Sequence, residues 1–265
     1  MKKIISGWSL IKIYTLLIYI WMFAPIVAVV LLSFNPQQFG SFPMKGFSFR
    51  WYGELIHNPS ILGAFKNSLI LGSLTAVLST TIAVPAALAF VRYNFRGKDF
   101  FNTLLIAPIM IPEVVLGVAL LLFLRWLQQP KSFLLLLVGH VVLTLPYVML
   151  VVQARMVGIK KDYEEAAMSL GASPFQTFLS VTFPLLSPAI FAGMLFSFTI
   201  SFDDVTATLF WATASQQTVP VKIFGMLRNS ISPEINALGA VMIVLTISLP
   251  LAAGYLSRKF AKGSK

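Results

Sequence analysis

Three carboxylates stand inside long apolar runs of this chain: Glu113, Asp203 and Asp204. A carboxylate at the centre of a bilayer costs at least ~2.5–3.5 kcal/mol, so acids in such places are paired or line a path for something polar. At ~1.5 Å of helical rise per residue, Glu113 falls roughly 18 Å into its run and Asp203 roughly 23 Å into its own, a similar depth. Asp203 and Asp204 are adjacent, so on an intact helix they point about 100° apart. One then faces the pathway while the other packs on a neighbouring helix or caps a break, and the sequence does not choose between them. Phe198, Phe202, Phe210 and Trp211 flank the pair, and aromatic faces attract cations. Carboxylates among aromatics suit an organic ammonium ion. The competing readings are pairing with a Lys or Arg of a second subunit and, for the aromatics, ordinary helix or lipid packing.

A second group of reactive types lies outside the apolar runs, between Asp162 and Pro184. Asp162 followed by Glu165 predicts a capping-box start to a short helix, with Glu164 and Glu165 in its first turn, where negative charge suits the helix dipole. Gly171 fits the left-handed position that ends such a helix. Ser173-Pro174 supplies a cap and first residue for a second one. Tyr163, Ala166, Ala167 and Leu170 share one face at helical spacing. A helix lying on lipid would carry Lys or Arg flanks and bulky apolar side chains, whereas this one is acidic and rich in alanine.

Something must hold these residues in a membrane. Of the 265 residues, 57% are hydrophobic and 11% charged, the composition of an integral membrane protein. Runs at Ile13–Leu32, Asn67–Val91, Phe100–Leu124, Ser132–Ala154, Pro188–Trp211 and Ile235–Ser257 are each long enough to span. Six spans with short connections predict a single transmembrane domain over residues 1–265. The first run is too long for a cleaved signal peptide and is read as retained. The net charge of +11 does not indicate nucleic acid. With both ends inside, thirteen of the twenty Lys and Arg residues are cytoplasmic, the bias expected of short membrane loops.

The loops and the remaining polar groups have simpler expectations. Residues 33–65 form the largest external segment, with Asn35-Pro36, Gly40, Pro43 and Gly46 as turn residues and Trp51-Tyr52 as a membrane-interface anchor. The Arg92–Lys98 turn is read as topology charges with lipid-headgroup contact. Residues 212–234 form the last external loop. Prolines recur inside spans, and Pro108 and Pro112 stand beside an intramembrane acid, where a kink frees backbone carbonyls. His140 is expected to make an interhelical hydrogen bond. Two histidines exclude a multi-histidine metal site, zero cysteines exclude thiol chemistry, and no phosphate-binding glycine loop or Ser-His-Asp arrangement occurs.

The charged segment reads Glu165-Ala166-Ala167, three residues, Gly171, nine residues, Val181, one residue, Phe183-Pro184. It resembles the EAA loop of bacterial ABC-importer permeases, with Val181 and Phe183 replacing that family's Ile and Leu. The whole chain is similar to C-type permease subunits of spermidine/putrescine importers, at Ser33–Asn35, Arg92–Lys98, Ile111–Leu121, Ser197–Val205 and Ser232–Leu238. Permeases for ferric ion, sulfate and opines share several of these motifs.

The resemblance implies an all-α membrane protein with six transmembrane helices in the type I ABC importer fold. It implies a transport subunit rather than an enzyme, moving polyamines into the cytoplasm by alternating access. A cytoplasmic loop at about 155–187 would dock into a separate ATPase through Glu165, Ala166, Ala167 and Gly171. Asp203, Asp204 and Glu113 match acidic positions of the polyamine permeases. The implied partners are a second permease subunit in a heterodimer, two copies of an ATPase subunit, an external or periplasmic substrate-binding protein and membrane lipid, with no nucleic acid. ATP and Mg would sit on the ATPase, with no cofactor in this chain. The implied location is the bacterial inner membrane, both termini cytoplasmic. Import of an opine or ferric ion is the near alternative. A proton-coupled transporter would use the three acids as relays and would show repeated halves, which this sequence lacks.

Overall fold

Backbone polar groups cannot go unpaired in lipid, and this chain satisfies them with helices. The computed structural model describes residues 2–37, 43–229 and 234–263, and every regular element among the described residues is helical. Gly40, Ser232 and Pro233, singled out above, lie outside the described residues. The helices are α1 (Lys2–Leu32), α2 (Arg50–His57), α3 (Pro59–Arg92), α4 (Lys98–Met110), α5 (Glu113–Trp126) and α6 (Phe133–Val157). There follow α7 (Asp162–Ser169), α8 (Pro174–Thr177), α9 (Phe183–Asp203), α10 (Thr206–Trp211), α11 (Val219–Asn229) and α12 (Glu234–Gly263). A π-helical turn, Phe178–Thr182, joins α8 to α9.

The chain forms two compact units, one of Met1–Leu62 with Ile223–Leu245, the other of Gly63–Lys222 with Thr246–Lys265. In the second, α6 is the central helix. Its residues are apolar all round, and a helix of that kind must be enclosed by others. Val148, Met149, Val152 and Met156 are fully buried against Ala83 and Ala87 of α3 and Leu186 and Ile190 of α9. Toward its other end, Leu136, Leu137 and Leu143 pack with Leu71 of α3 and with Ala207 and Trp211 of α10. Glycines admit the closest approaches: a Cβ at Gly139 would lie 2.3 Å from the Trp211 ring.

The third expected span, Phe100–Leu124, is not one helix. It breaks at Ile111-Pro112, and α4 and α5 meet at 109°. Pro112 has no N–H to continue the ladder, and its ring forces Ile111 into extended backbone (φ −95°, ψ 128°). The depth counted for Glu113 along a straight helix therefore does not apply. The pair still crosses the membrane once. Arg92, at the end of α3, donates to the Ile159 carbonyl just beyond α6 (2.9 Å), and Lys98, at the start of α4, bonds Asn94 in the same turn (3.3 Å). Since α6 begins at the opposite end, residues 98–132 must carry the chain across. Among the described residues, five unbroken spans and this bent one make six.

The fifth span also differs from expectation: it runs over Pro174–Asp203 rather than Pro188–Trp211. It ends where Asp204 adopts extended backbone (φ −66°, ψ 127°) and α10 begins afresh.

In the first unit, α1 is exposed along its described side chains up to Val27, with Trp21 82% exposed. The loop after it is organised by side chains. Trp51 is buried and its indole N–H donates to the Asn35 carbonyl (2.7 Å), while Tyr52 and Ser33 share a hydroxyl hydrogen bond of 2.7 Å. Trp51 thus ties the loop to the end of α1 instead of anchoring it at a lipid interface. The cause is its position on the apolar face of a short amphipathic helix, which places it inward together with Leu55.

Candidate functional site

The alanine-rich segment forms α7, 8 residues long. It starts one residue earlier than the Asp162 capping box predicts: Lys161 is the cap position and no side chain caps it. Glu165 is therefore four residues from that cap, and it pairs with Lys161 at 3.0 Å on the exposed surface. The helix ends as expected. Gly171 is left-handed (φ +92°), its N–H bonds the Met168 carbonyl (3.0 Å), and the Ala172 N–H reaches Ala167 (3.1 Å). These two bonds make a Schellman end. Ser173 then caps α8 in a complete capping box with Gln176.

Burial divides α7 into a working face and an anchor. Glu165 and Ala166 are exposed, Ala167 is half-buried, Tyr163 is 55% and Leu170 90% exposed. Glu164 alone is buried. Arg92 Nε donates to its Oε2 (2.8 Å), and the Thr182 hydroxyl, in the π-helical turn, donates to its Oε1 (2.9 Å). A second Arg92 N–H holds the Ile159 carbonyl. Arg92 is thus a ligand of the alanine helix, in place of the headgroup contact its sequence context suggested. Nothing in the sequence pairs it with Glu164, 72 positions away. The same residues line a cavity of about 330 Å³ together with Tyr93, Lys161, Met168 and Thr177.

The acids of the apolar runs divide similarly. Asp203, the last residue of α9, is exposed, and Thr246 of α12 donates to its Oδ1 (3.1 Å). Asp204 is buried and turned into the start of α10. It accepts from the Ala207 N–H (3.3 Å), the Thr208 N–H (2.8 Å) and the Thr208 hydroxyl (2.6 Å). Glu113 opens α5 immediately after the Pro112 break and is exposed. It stands in the first turn of α5, where negative charge suits the helix dipole. The indole N–H of Trp211 donates to the Gly117 carbonyl (2.9 Å), which joins α10 to α5.

His140 lies at the centre of this region, fully buried. Its Nε2 is 3.0 Å from the Thr208 hydroxyl and its Nδ1 2.8 Å from that of Ser201. Because Thr208 gives its proton to Asp204, its oxygen must accept from His140 Nε2–H; Ser201 in turn donates to Nδ1. The expected interhelical hydrogen bond of His140 is therefore a relay of three, tying α6 to α9 and α10. Among the described residues, no group of three or more His, Cys, Asp or Glu is placed to hold a metal ion.

Comparison with known proteins fits this geometry. Residues 69–262 match the family described as binding-protein-dependent transport system inner membrane component. The chain belongs to that family. It is 36% identical over 247 residues to the spermidine/putrescine transport system permease protein PotC of Escherichia coli K12, covering 93% of each chain. The Haemophilus influenzae protein of the same name is 34% identical over 254 residues, covering 96% of this chain and 98% of that one. The putrescine permease PotI of Escherichia coli K12 is 31% identical over 264 residues, covering 97% and 93%. Among solved structures, a bacterial ABC transporter that imports the polysaccharide alginate superposes with a TM-score of 0.78 at 16% identity, over 97% of this chain and 98% of that one. The permease is thus a multi-pass membrane protein with the type I ABC importer fold.

Proposed function

We propose that this chain is a permease subunit of an ATP-driven importer that moves polyamines into the cytoplasm by alternating access. The observation that carries the reading is α7, a short helix with an open alanine face and a single buried side chain fixing its back. Such a face suits docking into a groove of an ATPase subunit, with Glu165, Ala166, Ala167 and Gly171 as the docking residues. ATP and Mg belong to that partner, present in two copies. A second permease subunit completes a heterodimer, and an external binding protein delivers the cargo. The charge bias of the loops supports placing α7 and both termini in the cytoplasm. Lipid and the second permease cover the exposed flank of α1.

The substrate class is supported by the polyamine relatives and by the disposition of the acids. Asp204 is committed to the Ala207 and Thr208 donors of α10, whereas Asp203 and Glu113 are exposed carboxylates at helix breaks, so these two are assigned to the pathway. Fixed carboxylates lower the cost of holding a multiply charged cation in a low-dielectric passage. Few and weak sites let it leave again. The test is ATP hydrolysis and uptake by the reconstituted complex, with binding protein loaded with spermidine, putrescine, an opine or ferric ion. Stimulation confined to the polyamines supports the assignment. Stimulation by another cargo alone overturns the substrate and leaves the importer.

A further inference from the structure

A displacement imposed on the open face of α7 must reach the spanning helices to do work. The backbone connections at its two ends are turns. One passes through the exposed left-handed Gly171 and the other is the short turn over residues 158–161. The side-chain connection differs in kind. Glu164 is the only buried side chain of α7, and both its oxygens are held, by Arg92 at the end of α3 and by Thr182 at the base of α9. The second Arg92 N–H also fixes the Ile159 carbonyl in the turn leading into α7. One carboxylate therefore joins three pieces of chain, and Arg92 ties in the turn at Ile159 as a fourth. Charge-assisted hydrogen bonds away from water are the stiff ones. The π-helical turn that carries Thr182 is a local irregularity of the type that recurs at working sites in helices.

We propose that Arg92, Glu164 and Thr182 are positioning residues that transmit the movement of α7 to α3 and α9. Glu165 and its neighbours receive the partner, and Glu164 carries the load inward. The inference rests on the coupling role proposed above for α7. It predicts a class of variant that docks and hydrolyses ATP yet transports poorly. Glu164→Gln removes the charge that Arg92 pairs with and makes Thr182 an acceptor instead of a donor; Thr182→Val keeps the volume and loses one hydrogen bond; Arg92→Lys keeps the charge and loses the fork that reaches two acceptors.

The experiment measures uptake per ATP hydrolysed by the reconstituted complex for these three variants and for the exchange Arg92→Glu with Glu164→Arg. The ratio is expected to fall roughly tenfold in Glu164→Gln, within the range of site-to-site coupling energies, with assembly intact. Thr182→Val should fall less, and the exchange should recover part of the loss. The Arg92 and Glu164 effects should be strongly non-additive, as for residues acting as one unit. A ratio unchanged in assembled complexes overturns the proposal. If Glu164→Gln does not assemble, Thr182→Val decides alone, and an unchanged ratio there is equally fatal. A wild-type complex without ATP-dependent uptake would instead refute the coupling role of α7 itself.

Discussion

Asp203 and Asp204 are chemically identical neighbours with opposite expected phenotypes. In Asp204→Ala, the Ala207 and Thr208 N–H groups lose their acceptor in a buried place, and so does the Thr208 hydroxyl. Each buried donor left without a partner costs about 1–3 kcal/mol. Taking about 2 kcal/mol for each of the two N–H groups puts the total at about 4 kcal/mol. In a chain of this size that lowers the melting temperature by on the order of 10 °C. Asp203→Ala forfeits one exposed hydrogen bond to Thr246, worth at most about 1 kcal/mol. Thermal unfolding of the purified complex in detergent, paired with polyamine uptake, separates the two. The Asp204 variant should lose stability first and uptake in proportion to folded protein; the Asp203 variant should fold normally and lose uptake. Equal melting temperatures, or an Asp204 variant that melts normally and does not transport, would refute the reasoning.

Three further outcomes are expected. Glu165→Lys reverses an exposed charge that holds nothing in the fold beyond Lys161, so membrane yield should be normal while binding-protein-stimulated ATP hydrolysis is lost. Gly139→Ala places a Cβ 2.3 Å from the Trp211 ring; overpacking of this kind costs about 1–3 kcal/mol, which a lowered melting temperature would show. Trp51→Phe removes the hydrogen bond to the Asn35 carbonyl, worth about 1 kcal/mol, and should speed proteolysis around Asn35 without changing basal ATP hydrolysis.

What could be read in the sequence was local. Gly171 and Ser173-Pro174 declare a helix end and a helix start because their conformational preferences act within a few residues, and both ends form as expected. The capping box at Asp162 failed by one residue, which is enough to convert a cap into a surface ion pair with Lys161. The break before Glu113 was signalled by Pro112, yet hydropathy alone runs straight through it, since both halves are apolar. Arg92 and Glu164 were invisible as a pair because charged residues at loop ends satisfy topology whether or not they meet. His140 announced that it needed partners, but Ser201 and Thr208 are too ordinary in a membrane helix to announce themselves.

Both adjacent acid pairs of this chain are divided in the same way. In Glu164-Glu165 and in Asp203-Asp204, one carboxylate is buried with its oxygens committed to hydrogen bonds and the other is exposed. A buried charge is tolerated only when paired or hydrogen-bonded, so the committed member fixes the backbone and the exposed one is presented from a rigid base. The two pairs are also joined mechanically. Glu164 grips Thr182, and the helix that begins at Phe183 ends at Asp203, roughly 30 Å further on at the usual rise per residue. If α7 moves as proposed, its movement would be delivered to one end of a rod whose other end carries an exposed carboxylate beside a helix break. On this arrangement, weakening the Glu164 grip and neutralising Asp203 should both stop uptake while leaving different ATP signatures: futile hydrolysis for the first, normal hydrolysis driven by loaded binding protein but no transfer for the second. Identical signatures would mean that α9 does not link the two sites.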